Sequence, residues 1–426
     1  MKRLYRQAQI ASEDSSQLQL GDVLVEGDRI IGVGPGISGV SDCEVIDCKG
    51  RILMPSMFDL HVHAREPGHE DKENISTCSE AAINGGVTGF VMMANTSPTI
   101  DNAGVVRTVL ESARRARIGA GIYTAGSITK GRKGEELAGI AGMKSAGVLM
   151  LSDNGHGVEN PQVLRRAMEY AKDFGMPIAS HCEIKDLSIK GCMHEGKVSY
   201  ALGLPGIPSI SEEIGISRDI RLAEYTGVHL HVQHVTTKEG MGTIKRAKDR
   251  GIRVTCEVTP HHLIFNQDHI GNYDTNYKMN PPLRTLEDNA ALLQGLKDGW
   301  FDVITTDHAP HTPFEKNQDF ASAPFGITGL ETALPSLFHH FISKGILDWG
   351  LIVKHYSAEP RRMMKLDPVP VKEGGVAEFI VFNPEGSTTF TQEFMKSKSI
   401  NTPFIDQTLK GLVERVIYRG EELLVR

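Results

Sequence analysis

Phe58-Asp59-Leu60-His61-Val62-His63-Ala64-Arg65-Glu66-Pro67-Gly68 carries an apolar segment into a polar loop, with two imidazoles two residues apart at the junction. Side chains at i and i+2 of a strand point to one face, so His61 and His63 can grip a single metal ion, and Arg65 follows on that face. A His-x-His pair alone fits a packed core as well as a metal site. The surrounding rhythm separates the two readings.

Seven further apolar segments repeat the sequence of strand, polar loop and amphipathic helix: Gly89 to Met93, Gly121 to Ala125, Val148 to Leu151, Pro177 to Ser180, Val228 to Val232, Ile252 to Glu257 and Val303 to Thr306. Between them, Val105 to Arg117, Pro161 to Phe174, Glu212 to Tyr225, Lys238 to Arg250 and Leu286 to Leu296 carry apolar residues at helical spacing. Eight strands alternating with helices predict an α/β fold, a (β/α)8 TIM-type barrel over 55–365, with a doubly wound open sheet as the alternative. Short alternating segments broken by turns mark residues 1–54, as in Asp22-Val23-Leu24-Val25, and return over 366–426, as in Gly375 to Phe382. The two ends are expected to pair into one small β domain.

Chemistry in such barrels sits at the C-terminal ends of the strands. His61 and His63 end the first strand, His181 the fifth, His234 follows the sixth and Asp307 ends the eighth, inside Thr305-Thr306-Asp307-His308-Ala309-Pro310-His311. Imidazole nitrogen and carboxylate oxygen suit Zn²⁺ and similar ions. Water on such an ion is largely ionised near neutral pH, the ion polarises a carbonyl under attack, and a neighbouring carboxylate can move the proton. The pattern therefore points to metal-assisted hydrolysis, with Asp307 as proton carrier.

Composition narrows the alternatives. With 40% hydrophobic and 23% charged residues the chain is an ordinary globular protein, and its net charge of −7 includes no basic block to neutralise phosphates, which excludes nucleic acid as an expected partner. Six cysteines without a CxxC pair read as reduced thiols. The first residues lack a signal peptide's apolar core, and no apolar run reaches the roughly 18 residues that a spanning helix needs. The expected setting is cytoplasmic, away from membranes.

The blocks His61 to Gly68, Met93-Ala94-Asn95-Thr96, Ser180-His181-Cys182-Glu183, His231 to Glu239, Val258-Thr259-Pro260-His261-His262-Leu263, Lys278-Met279-Asn280-Pro281-Pro282-Leu283-Arg284, Thr306 to His311, Ala323-Pro324-Phe325-Gly326-Ile327 and Asn401-Thr402-Pro403-Phe404 resemble the signatures of the dihydroorotases, a family of the amidohydrolase superfamily. The resemblance covers almost the whole chain. It implies a metal-dependent cyclic amidohydrolase for the reversible cyclisation of N-carbamoyl-L-aspartate to L-dihydroorotate in pyrimidine synthesis, by metal-bound hydroxide. It implies His61, His63, His181, His234 and Asp307 as metal ligands, with Asp307 also the general acid/base. Arg65, Asn95 and His311 would hold the substrate carboxylate; Asn280 and the backbone of Phe325 and Gly326 would hold the ring amides. A guanidinium is a fork for a carboxylate, and a side-chain amide offers donor and acceptor to a ureido group.

One position departs from the family pattern. Where relatives carry Asp-Asp-Gly after strand four, with the second Asp bridging two metals, this chain has Ser152-Asp153-Asn154-Gly155. A neutral amide at Asn154 cannot balance two divalent ions. Three arrangements follow: one Zn²⁺ held by His61, His63 and Asp307; Asp153 rotating in as the bridge; or a weakened second site. The expectation is one firmly bound ion. A carboxylated lysine offers no rescue, since Lys144 falls in a helix before the strand.

Gly32-Val33-Gly34-Pro35-Gly36 reads as a β-turn instead of a nucleotide loop, because Pro35 intervenes and no helix follows. His261-His262 reads as support beneath the site, and His339-His340 as a solvated helix surface. The polar stretch Thr312 to Ala323 lies between two site blocks and is expected as a cover over substrate. Two other functions compete: a hydantoinase or allantoinase type of cyclic amidase, whose substrates lack the carboxylate, and a non-catalytic subunit scaffolding a transcarbamoylase. The expected partner is a small-molecule substrate, with a homodimer and an aspartate transcarbamoylase association as the assemblies to test.

Overall fold

The computed structural model describes residues 2–116 and 121–426. Its first strands are β1 (Lys2–Ser12), β2 (Ser15–Glu26), β3 (Arg29–Gly34), β4 (Cys43–Asp47) and β5 (Ile52–Pro55). The next are β6 (Met57–Val62), β7 (Val87–Met92), β8 (Gly121–Gly126), β9 (Met150–Leu151) and β10 (Ile178–Ser180). A short parallel pair, β11 (Met193–His194) and β12 (Gly206–Ile207), precedes β13 (Leu230–Val232), β14 (Val254–Val258) and β15 (Val303–Ile304). The last three are β16 (Phe379–Thr389), β17 (Thr408–Tyr418) and β18 (Glu421–Val425).

Strands β6 to β10 and β13 to β15 lie side by side in chain order, all parallel, at the eight places expected from the sequence. The sheet closes on itself: Val62 bridges to His308, and the His63 N–H donates to His308 O at 2.8 Å. Closure removes the doubly wound alternative. Phe58, Leu60, Val91, Ala125, Met150, Ala179 and Val303 come from six strands into one buried cluster, so the interior is filled with side chains and is not a pore.

Helices cover the outside. Asn160 caps Pro161–Asp173, Thr237 caps Lys238–Asp249, and Thr285 with Asp288 forms a capping box on Leu286–Lys297; each satisfies amide donors left open at a helix start. The helix expected to end at Arg117 is described over Ala103–Ala116, and Arg117 lies outside the described residues.

The second sheet has the order β18-β17-β16-β5-β1-β2-β3, with β4 pairing β1, and so joins strands from both ends of the chain. Its core packs Tyr5 edge-on to Phe379 at 5.1 Å, with Val23, Leu53, Val381 and Ile417 around them. The chain passes from this sheet into the barrel at one residue, Ser56, between β5 and β6. Ser56 O accepts hydrogen bonds from Ser357 Oγ (2.6 Å) and Arg361 (3.1 Å), and Arg361 also pairs with Glu378 at 2.7 Å. Among the described residues no helix is long and apolar enough to cross a membrane.

Candidate active site

The β6/β7 register shifts between Asp59 and Val62, and β6 ends at Val62, before His63. Arg65 lies beyond the strand in left-handed backbone (φ 62°), so strand alternation does not carry through to it as the sequence reading assumed. The loop still returns it to the same region: Arg65 Nε donates to Pro310 O (3.1 Å), and its NH2 lies 3.2 Å from His311 Nε2. Asp59 holds the two strand ends together, accepting from the His61 N–H (2.9 Å), the Thr306 N–H (3.0 Å) and Tyr356 Oη (3.2 Å).

Asp307 is the hub. Its Oδ1 lies 3.2 Å from His61 Nε2 and 3.0 Å from His63 Nε2, and its backbone is left-handed (φ 45°). His234 is left-handed too (φ 32°). Non-glycine residues in this region cost free energy and persist where the surroundings over-determine them, as at functional sites. The ligand atoms of His61, His234 and Asp307 lie within 4.8 Å of one another. This triad has His234 where the single-metal expectation has His63, yet His63 stays beside it, with Nε2 3.0 Å from Asp307 Oδ1 and Nδ1 2.8 Å from Asn95 Oδ1.

The donor set fits a cation. Among the described residues, buried His61 Nε2 and His234 Nδ1 make no hydrogen bond, although Asp307 Oδ1 stands 3.2 Å from the first. Burial disfavours a charged His61, yet the carboxylates of Asp307 and Glu257 outweigh it and lift its pKa to about 9. Burial keeps His63 neutral, at about 4, and lowers His234 far below the usual imidazole range with His181 adding to the effect. The carboxylates of Asp307 and Glu257 beside these imidazoles make a set of N and O donors of the zinc type, which would suit a divalent ion.

His181 Nδ1 meets His234 Nε2 at 2.9 Å and sends Nε2 towards Glu183 (3.2 Å). Asn154 Nδ2 stands 3.3 Å from Gln233 Oε1 and 3.5 Å from His234 Nε2, so an amide faces the imidazoles. Asp153 does not turn in to replace it. Its Oδ1 accepts from the Ile128 N–H (2.8 Å) and the Thr129 N–H (3.2 Å), and Oδ2 from Thr129 Oγ1, which commits the carboxylate to the loop after β8.

A cavity of about 160 Å³ opens above this cluster. His63, Arg65, Asn95, Asn154, His181, Asn280, Asp307, His311 and Phe325 line it, while His61, His234 and Gly326 do not. Gly326 differs from its expected role: its N–H already donates to Lys278 O (2.9 Å), and its carbonyl accepts from Lys316 Nζ (3.1 Å) and Asn401 Nδ2 (3.0 Å). A Cβ there would stand 2.5 Å from Ala309 O, so glycine serves close packing. Asn280 Nδ2 points to Glu183 Oε2 at 3.4 Å. Burial and the adjacent Arg65 charge push His311 to about 3, and burial brings Arg65 down to about 10, still charged at neutral pH. A larger cavity of about 340 Å³ shares His311 and is lined by Lys316, Asn317 and Asn401.

Sequence reasoning missed Glu257 on β14. Its Oε1 accepts from His61 Nδ1 (2.6 Å) and the His234 N–H (3.1 Å), and Oε2 from His231 Nε2 (2.9 Å). Burial would raise its pKa, but the His61 charge and these hydrogen bonds hold it at about 2. A carboxylate inside the otherwise uncharged strand Val254-Thr255-Cys256-Glu257-Val258 was the available signal, since buried charges are rare unless paired. His262 is satisfied by Thr259 Oγ1 (2.7 Å) and Pro281 O (2.9 Å), whereas His261 Nε2 has no partner among the described residues. His339 and His340 are half-buried, not a freely solvated surface, and His339 Nδ1 accepts from the Lys410 N–H (3.0 Å). The Thr312 to Ala323 stretch is anchored by Lys72–Glu315 (2.6 Å) and by Lys278 Nζ on Ala321 O (2.9 Å).

Residues 50–240 match the Dihydro-orotase-like family. A dihydroorotase of Anoxybacillus flavithermus is 40% identical over 422 residues, 99% of this chain and 98% of that protein. One of Brevibacillus brevis is 44% identical over 392 residues, 92% of each chain. Among solved structures, L-hydantoinase (dihydropyrimidinase) from Arthrobacter aurescens superposes with a TM-score of 0.88 at 22% identity, covering 99% of this chain and 96% of that one. Dihydropyrimidinase from Brevibacillus agri gives 0.85 at 22%, covering 100% and 95%. At that identity the likeness is one of fold.

Proposed function

The chain belongs to the dihydroorotase family, and from that premise we propose that it carries out the reversible ring closure of N-carbamoyl-L-aspartate to L-dihydroorotate, as a zinc enzyme of pyrimidine synthesis in the cytoplasm. It is a metal-dependent cyclic amidohydrolase. The observation that carries the choice of substrate is the buried guanidinium of Arg65 beside His311 on a cavity that also holds Asp307.

His61, His234 and Asp307 would hold the ion, with His63 beside them and His181 and Asn154 bordering a weaker second position. When bound, the ion supplies a Lewis acid for the carbonyl under attack and acidifies water. The rest is the work of side chains. Arg65 offers a fork to the substrate carboxylate, and Asn95 and neutral His311 complete that subsite without a second charge. Asn280 presents an amide to the ureido group. Asp307 takes the proton of the attacking water in hydrolysis and delivers it to the departing ring nitrogen; in ring closure the path reverses. Glu257 keeps the proton of His61 on Nδ1, so that Nε2 remains a lone-pair donor.

The test is hydrolysis of dihydroorotate and of dihydrouracil by protein of defined metal content. Turnover of the first alone supports the reading; equal turnover of both overturns the carboxylate subsite. Elemental analysis identifies the ion. Assembly as a homodimer, or with an aspartate transcarbamoylase, is tested by sedimentation with and without that partner, and a monomer unaffected by it refutes both.

A further inference from the structure

Asn154 stands where a carboxylate would balance a second ion, and the residue after it is glycine. We propose that Asn154-Gly155 is a self-modification site, at which the side-chain amide is exchanged for a carboxylate with loss of ammonia and without another enzyme. The proposal concerns the covalent state of the chain and does not depend on the substrate reading above.

Four features of the local geometry support it. Gly155 has no Cβ to obstruct the approach of its nitrogen to Asn154 Cγ, and it is exposed on the wall of the cavity, where water can enter and ammonia leave. Among the described residues its N–H donates no hydrogen bond, so none has to be broken to free it. Arg132 NH2 donates at 2.8 Å to the carbonyl oxygen of Asn154, the oxygen of the peptide unit to which that N–H belongs. A guanidinium there stabilises the anion formed when the proton departs, which acidifies the nucleophile. The leaving nitrogen is loosely held, 3.3 Å from Gln233 Oε1 and 3.5 Å from His234 Nε2.

The Gly155 nitrogen gives its proton to water and attacks Asn154 Cγ. A bond forms between them, the Cγ–Nδ2 bond breaks, and Nδ2 leaves as ammonia with a proton from water. Water then opens the five-membered imide. Attack at Cγ yields aspartate; attack at the backbone carbonyl yields isoaspartate. The net change is amide plus water to carboxylate plus ammonium, with no oxidation or reduction. The new carboxylate lies beside His234 and His181, as a ligand for a second ion.

The chain contains its own control. Asn84-Gly85 has the same two residues, but the Gly85 N–H donates to Ala81 O and Ala82 O at 3.1 Å each, and Asn84 Nδ2 is held by Glu331 and by Phe394 O (2.9 Å). Freshly purified protein is incubated at mildly alkaline pH, folded or in urea, and both peptides are followed by mass spectrometry with fragmentation that separates aspartate from isoaspartate. In the folded protein the Asn154 peptide gains ~1 Da while the Asn84 peptide does not, and in urea both gain it. Gly155→Ala slows the folded reaction at least about tenfold, and Arg132→Gln slows it in the folded protein but not in urea. Elemental analysis shows the metal count rising from one towards two with the modified fraction, as Asn154→Asp shows from the start. The proposal is overturned if Asn154 keeps its mass in the folded protein while the urea sample gains it. If Asn154→Asp binds one ion only, the role of the new carboxylate in metal binding is refuted.

Discussion

Glu257 uses one oxygen on the ring of His61 and the amide of His234, and the other on His231, so a single side chain sets the tautomer of one candidate ligand and the backbone of another. Glu257→Gln, which can present a donor where an acceptor is needed, is expected to weaken metal binding about 10–100-fold. Chelator competition measures it, with circular dichroism confirming an intact fold. Arg65→Lys replaces a planar fork by a point charge and is expected to lower kcat/KM for dihydroorotate roughly 10–100-fold, mainly through KM, the loss of a charged hydrogen bond of about 1.5–3 kcal/mol. Steady-state kinetics decides it, and an unchanged KM contradicts the anchoring role. His61, His63, Arg65 and Asp307 could be picked out as candidates in the sequence because each stands at or within a few residues of a strand end with a residue type that packing does not call for. Gly326 was not, because whether a backbone N–H is free depends on partners far along the chain, here Lys278.

At the scale of elements, period and caps made strands and helices readable, and their ends were not. β9 and β15 keep only two regular residues each, because the chain turns into site loops where Asp153 and Asp307 serve other partners. Glu331, just before helix Ala333–His340, binds the Lys396 N–H (2.7 Å), the Ser397 N–H (3.2 Å) and Asn84, so it ties that helix to the end of Ile75–Asn84 and to the loop near residue 396. Burial lifts its pKa to about 7. The folded state therefore holds the proton more tightly than the unfolded chain, and stability falls as pH rises from about 4.5 to 7, by on the order of 3 kcal/mol. Glu331→Gln is expected to remove that part of the decline. Thermal unfolding of both proteins across the interval shows it, and parallel curves would contradict the assignment.

For the molecule as a whole, Arg361 and Glu378 link the barrel to the small sheet, both buried, with Ser56 and Thr88 completing the network. Glu378→Ala leaves a buried guanidinium without its partner and is expected to cost about 3–5 kcal/mol. Urea unfolding measures this. Arg361→Met combined with Glu378→Leu is expected to recover much of the loss, since a buried pair and a well-packed apolar pair are often nearly equal. The return of short alternating segments near both ends announced a second sheet; its strand order stayed hidden, because nothing local specifies that β5 pairs with β16. That pairing has a consequence in time. The ribosome makes Ile52–Pro55 about 320 residues before Phe379–Thr389, roughly half a minute at ~10 residues per second. Throughout that interval β5, which passes through Ser56 into the strand that carries His61, has one edge without its partner. The newborn chain must shelter that edge until its last strands arrive, so slowing translation beyond residue 366 should lower the yield of soluble protein.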